Sequence, residues 1–180
     1  SPVPFADDAF VQKIKDQVVA PTMRGLQLDG IPYVGFVFIG LIKVGDDPKV
    51  IEYNVRMGDP ETQVVLPRIQ NDLFELLQAT ASGSLESIKM SIDKSYVSTI
   101  VAVSGGYPEN FEKGKVIRGI DSDDFVVHAG TVMVDKELVT SGGRVLSATG
   151  FGLDHKQAIE KSYQTLAKID FQGIYYRKDI

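Results

Sequence analysis

The first half of the chain alternates helical stripes with one long apolar stretch; the second half is a run of short strands closed by a helix. Asp7 and Asp8 supply an N-cap and first-turn charge, and Phe10, Val11, Ile14 and Val18 follow at helical spacing. Ser1–Pro4 should be extended, since its two prolines oppose helix. Pro21 should end or kink the helix, with a further helical stretch running to Gly30 as its stop. Tyr33–Lys43 is apolar on both faces and predicts a strand central to a sheet. Gly45-Asp46-Asp47-Pro48 predicts a turn, Lys49–Val55 the next strand, and the two together an antiparallel hairpin.

Arg56–Gln63 is a polar loop with glycine and proline. Its local reading is a helix start, with Asp59 as N-cap, Pro60 at the first helical position and Glu61 in the first turn. Pro67 predicts a short helix. Asp72 predicts the cap of a longer one, with Leu73, Leu76, Leu77 and Thr80 facing inward. Ala81–Ser95 reads as a connector. After it come predicted strands at Tyr96–Ser104, Lys115–Arg118, Phe125–Ala129, Thr131–Val134, Glu137–Thr140 and Arg144–Gly152. Asp154 and Gln157 form a capping-box-like start to a last helix, striped by Ala158, Ile159, Ser162, Tyr163, Leu166 and Ala167. Phe171–Ile180 should be extended. The expected fold class is α+β, with one domain over 1–85 and a second, strand-rich domain with one long helix over 96–180.

Composition narrows the function classes. Apolar residues are 43%, charged residues 24%, and the formal net charge is −5, so the chain can build a core but offers no basic stripe for nucleic acid. The longest apolar run, Tyr33–Ile42, is about half a membrane-spanning helix. There is no cysteine and only two histidines, His128 and His155, which excludes disulfides, thiolate zinc sites and a histidine-rich metal centre. A metal here would be a hard cation on oxygen ligands.

One strand carries candidate chemistry. With a two-residue period, Ile51, Tyr53, Val55 and Met57 share a face, expected to be the core face, and Val50, Glu52, Asn54 and Arg56 share the other. Glu52 and Asn54 then stand roughly 7 Å apart along the strand, a spacing at which two oxygens can converge on Mg²⁺. The same pattern also describes a strand with its polar face in water. Arg56, next on that face, can hold a phosphate or carboxylate with its planar fork. Gly142-Gly143-Arg144 fits either a backbone-and-cation approach to a phosphate or a hairpin turn with a solvated arginine. Arg177 and Lys178 fit either a phosphate contact or a solvated basic pair. Ser104–Pro108 reads as a turn, His128 as a packed or hydrogen-bonded histidine and His155 as a surface residue. Ser-Gly-Gly occurs at Ser104–Gly106 and again at Ser141–Gly143, without matching surroundings.

The segment Val50–Gln63, reading VIEYNVRMGDPETQ, resembles the signature of the phosphoribosylamine–glycine ligase family of the ATP-grasp superfamily. The resemblance continues in order through Ser104–Pro108, Glu112–Ile117, His128–Thr131, Thr140–Leu146 and Tyr175–Ile180. It implies the C-terminal half of an ATP-grasp domain followed by the family's C-terminal domain. It implies ATP-dependent ligation of glycine to 5-phosphoribosylamine through glycyl phosphate, in the cytoplasm, with ATP, glycine and 5-phosphoribosylamine as partners. By the same resemblance Glu52 and Asn54 are the ligands of Mg²⁺ or Mn²⁺, Arg56 is catalytic and Asp59 binds substrate; Gly142, Gly143, Arg144, Arg177 and Lys178 are the further substrate-binding candidates, on the residue patterns themselves. A monomer is the expectation for a full-length ligase. Ser1 followed by Pro2 reads as a processed or internal start, so the chain is expected to enter midway through the ATP-grasp unit. Alone it should be inactive, bind ATP weakly, expose the apolar faces of Tyr33–Ile42 and Lys49–Val55, and cover them by self-association. Two other readings stay open: a different ATP-grasp ligase, and a noncatalytic binding module that keeps a ligase's C-terminal domain.

Overall fold

A computed structural model describes residues 1–180. The chain is α+β and divides into two compact units. One comprises Pro2–Thr62 and Ile69–Asp93; the other comprises Ser1, Gln63–Arg68 and Lys94–Ile180.

In the unit that holds Pro2–Thr62, the Asp7 carboxylate accepts the Phe10 amide at 2.8 Å and starts α1 (Asp8–Ile14). The helix does not end at Pro21. It passes through a π-helical turn, Lys15–Val19, into α2 (Ala20–Leu28). Pro21 has no N–H and its ring crowds the preceding turn. The wider turn accommodates this, with the Ala20 amide bonding back to the Lys15 carbonyl. Gly30, at φ 65°, closes the helix in the left-handed region, where a side chain would be strained.

β1 (Phe38–Val44) and β2 (Asp47–Asn54) form a two-stranded antiparallel sheet. The expected central strand is therefore an edge strand, and residues 33–37 lie outside it. The face of β2 read as a core face is exposed, as expected for this chain by itself: Ile51 is 66% and Tyr53 50% exposed. An apolar run reports what a strand can bury, and here much of it stays exposed. The register shifts between Gly40 and Leu41, pairing Gly40 with Glu52 and Leu41 with Val50. Ile51 is the extra residue of this bulge, so the strict alternation is broken between Val50 and Glu52 and resumes after it.

The loop after β2 leads to α3 (Thr62–Val65), a single turn whose Thr62 amide bonds to the Gly58 carbonyl at 3.0 Å. Pro60 follows a cis peptide bond and precedes the helix, so the expected helix start at Asp59-Pro60-Glu61 is displaced to Thr62. Pro67 sits in a 3₁₀ turn, Leu66–Arg68. In α4 (Leu73–Ser82), capped by Asp72 and stopped by left-handed Gly83, the buried residues are Leu76 and Ala79. Leu73 and Leu77, expected inward, are exposed. The expected connector is tied back by an Ile69–Ile92 bridge and by the Ser91 amide on Asn71 Oδ1 at 2.6 Å.

The other unit is built on β3 (Tyr96–Val103), β4 (Val126–His128) and β7 (Arg144–Gly152), in the order β3-β7-β4, all antiparallel. β5 (Thr131–Val134) and β6 (Glu137–Thr140) form a separate hairpin. Lys115–Arg118 is not a strand; it makes only isolated bridges, Val116 to Val139 and Arg118 to Asp170. α5 (His155–Lys168) starts at Asp154, whose carboxylate accepts the Gln157 amide at 2.8 Å. It packs on β7 and β3 through Ala158, Ser162, Thr165 and Leu166; Ala167 is exposed. Leu166 joins Ile100, Ala102, Leu146, Ala148, Ile169 and Phe171 in the core. A fully buried leucine of this kind contributes roughly 1.5–3 kcal/mol. Ser162 adds polar registration, with its hydroxyl on the Ser98 carbonyl at 3.1 Å.

Candidate functional site

Glu52 and Asn54 leave β2 on the same side, as the two-residue period requires, and their side chains meet. Asn54 Nδ2 donates to Glu52 Oε1 at 3.1 Å, on the exposed surface of the sheet. Gly40, opposite Glu52, makes room for this: a Cβ there would lie 2.9 Å from Glu52 Cγ. The strand is held at its start by Lys13, whose ammonium lies 2.6 Å from Asp47 Oδ1 and 2.7 Å from the Asp46 carbonyl. The Lys13 hydrogen bond keeps the Asp47 carboxyl below the usual carboxylate range. Lys43 also stands 5.0 Å over the Phe10 ring, tying β1 to α1.

Arg56 is exposed and turns onto its own loop, donating to the Met57 carbonyl at 2.9 Å. Asp59 is exposed in the same loop. These four residues therefore belong to one short stretch of one unit, with Glu52 and Asn54 in contact and Arg56 bonded elsewhere.

The remaining candidates lie in the other unit. Ser104 donates from its amide to the Gly143 carbonyl at 2.8 Å and from its hydroxyl to the Gly142 carbonyl at 3.0 Å. The two Ser-Gly-Gly segments are thus neighbours in space. Gly143 lies against the Tyr107 ring, so closely that a Cβ would stand 2.6 Å from Tyr107 Cε2. Arg144 is exposed at the start of β7. Arg177 grips Asp179 with two bonds, 3.0 and 2.8 Å, which raises the arginine's proton affinity and lowers the aspartate's. Lys178 lines an open cleft of about 600 Å³ with Ile174, Tyr175, Tyr176 and Asp179. His128 is exposed and its Nδ1 lies 3.1 Å from Thr131 Oγ1; His155 is on the surface, beside Tyr96.

Among the described residues no group of three His, Cys, Asp or Glu side chains is placed to hold a metal ion. The Glu52–Asn54 pair fits a different kind of site. It offers one carboxylate and one amide oxygen, once the amide turns over, and leaves the other positions of an octahedral ion to water and phosphate. Mg²⁺ is commonly held that way. Gly40, which makes room for Glu52, and Thr22, whose hydroxyl lies 3.0 Å from the Tyr53 phenol, carry no signal in the linear sequence, because each acts on a partner far along the chain.

A hairpin with a carboxylate beside an amide on its exposed face, joined to a capped helix, lies in the segment that comparison places with ATP-grasp domains. Residues 1–62 match the phosphoribosylglycinamide synthetase ATP-grasp (A) domain family, and residues 97–180 match the phosphoribosylglycinamide synthetase C domain family. The chain belongs to the phosphoribosylamine–glycine ligase family. It is 40% identical over 182 residues to the phosphoribosylamine–glycine ligase of Caldanaerobacter subterraneus subsp. tengcongensis, covering 100% of this chain and 44% of that one. It is 41% identical to the ligase of Chlorobaculum tepidum, with the same coverage. A crystal structure of phosphoribosylamine–glycine ligase from Thermotoga maritima superposes with a TM-score of 0.87 at 33% identity, over 100% of this chain and 45% of that chain. The chain thus spans less than half the length of these relatives. No helix is long and apolar enough to cross a membrane.

Proposed function

We propose that this chain serves the ATP-dependent ligation of glycine to 5-phosphoribosylamine, giving glycinamide ribonucleotide, ADP and phosphate in the cytoplasm. The observation that carries this reading is the convergence of Glu52 and Asn54 on an exposed sheet face, within the segment that matches the family's ATP-grasp domain. We place the ATP-grasp portion at residues 1–85 and the C-terminal domain at 96–180.

In this reading a glycine carboxylate oxygen attacks the γ-phosphorus of ATP and ADP leaves, giving glycyl phosphate. The amine nitrogen of 5-phosphoribosylamine then attacks the carbonyl carbon. The C–O bond to the phosphoryl group breaks, phosphate leaves, and the amine loses a proton. Glu52 and Asn54 would hold Mg²⁺ or Mn²⁺, which offsets the charge on ATP's phosphate oxygens when bound. Arg56 would release the Met57 carbonyl and bring its guanidinium to the transferring group, where a preorganised cation favours charge developing in the transition state. Asp59 would orient the substrates from the following loop. Gly142, Gly143 and Arg144, with Arg177 and Lys178, would contact the phosphorylated sugar. For Gly142 and Gly143 the contact would come from backbone amides, because their carbonyls are already engaged by Ser104.

The test is product formation by a polypeptide of the relatives' full length carrying Glu52→Gln. Turnover should fall by about 10²–10³-fold, the scale of losing one dedicated electrostatic group. Unchanged turnover would overturn the reading and leave the noncatalytic module.

A further inference from the structure

The strand that carries Glu52 and Asn54 is half of a two-stranded sheet with much of its surface exposed, so its own ladder does little to fix its twist. Tyr53 lies between the pair and projects to the opposite face. Its phenol oxygen is 3.0 Å from Thr22 Oγ1. The Thr22 hydroxyl has a single proton and directs it to the Val18 carbonyl at 2.7 Å. The tyrosine must therefore be the donor in the first bond. The result is a directed relay, from the Tyr53 phenol to the Thr22 hydroxyl to the backbone of the π turn, whose Val18 is buried. It ties the residue between the two candidate ligands to a helix.

We propose that Tyr53 is a positioning residue for the Glu52–Asn54 pair, with Thr22 as its anchor. The inference rests on the reading of Glu52 and Asn54 as a metal-binding pair. Without the relay the strand is free to twist about its own axis, and the two side chains, which depend on a common face, separate. The anchor is a hydroxyl and not a shape, so serine serves at position 22 and valine does not.

The experiment is a Mn²⁺ titration of a polypeptide of the relatives' full length, followed by the electron paramagnetic resonance signal of the free ion, with melting of each variant read by circular dichroism. Tyr53→Phe should raise the Mn²⁺ Kd by about three- to tenfold, at or below the low end of what losing a group bonded directly to a ligand costs, since Tyr53 bonds Thr22 and acts on the pair through the strand. Thr22→Val should do the same, and the double variant should be no worse than either, because both remove one relay. Thr22→Ser should stay within about twofold of the unsubstituted chain. An unchanged Kd in Tyr53→Phe, or losses that multiply in the double variant, overturns the positioning role. So does a loss that Thr22→Ser shares. Glu52→Gln separates the two readings. If it abolishes Mn²⁺ binding while Tyr53→Phe leaves it intact, only the positioning role falls. If the unsubstituted chain shows no saturable binding, or Glu52→Gln changes nothing, the metal reading falls and this inference with it.

Discussion

Gly150→Ala should be among the most damaging single-methyl changes in the unit that holds β7. The added Cβ would press on the Ala158 carbonyl oxygen and stand 2.6 Å from the Ser162 amide nitrogen and 2.9 Å from Lys161 Cβ. The first two are backbone atoms of α5 and cannot rotate away. Restoring ordinary contact of 3.4 Å to the Ser162 nitrogen alone moves the helix by about 0.8 Å. A radial gap of that size forfeits about a quarter to a half of the dispersion well for every contact across the interface. Leu166, on the same helix, is 1% exposed and would lose that share of its packing. Overpacking costs about 1–3 kcal/mol, and a clash with backbone on both sides belongs at the upper end. For a unit of this size about 3 kcal/mol lowers the melting temperature by roughly 12–24 °C. Hydrogen exchange of peptides covering Arg144–Gly152 reads the local loss, and thermal circular dichroism reads the global one. A fall of less than about 4 °C with unchanged exchange would refute the argument that β7 and α5 are in backbone contact.

Gly25→Ala should act in the opposite direction: beyond its own helix backbone and chain neighbours the added Cβ in α2 meets nothing within 4 Å, and alanine should stabilise the helix by about 0.5–1 kcal/mol, measured by urea denaturation. Asp154→Ala should cost about 1 kcal/mol in the same assay, since it frees the Gln157 amide at the start of α5. The Asp124 carboxylate accepts the Lys168 ammonium at 2.9 Å, and this bond holds its pKa below the usual carboxylate range. Its contribution is therefore complete above the unfolded pKa, about 3.9, and is lost as pH falls through the lower folded value. The stability gap between the unsubstituted chain and Asp124→Asn should close below about pH 4, and a gap that stays constant from pH 6 to 3 would show the pair contributes nothing.

Strand limits were most legible where both turn and alternation were strong. Thr131–Val134, Glu137–Thr140 and Arg144–Gly152 fall where the pattern puts them, and the Asp154 cap starts the last helix. The failures share a cause. Tyr33–Lys43 has the composition of a central strand, but which strands flank it is a matter of tertiary structure. Leu73 and Leu77 are as apolar as Leu76, and only packing chooses Ala79 and leaves them outside. Lys115–Arg118 has strand-forming residues yet finds partners only at single bridges. At the candidate site, the two-residue period puts Glu52 and Asn54 on one face without any structure. The glycine that makes room for Glu52, and the threonine thirty-one residues away that holds Tyr53, appear only when the chain is folded.

The turn at Lys15–Val19 also sets a rotational phase. A π turn takes up one residue beyond an α-helical repeat, and each residue is worth about 100° around the axis. Winding the same residues as a regular α-helix would instead swing Ala20–Leu28 by about 100°, away from the hairpin it serves. The wide turn is thus a determinant in its own right: at constant chain length, losing it would point Thr22 away from Tyr53.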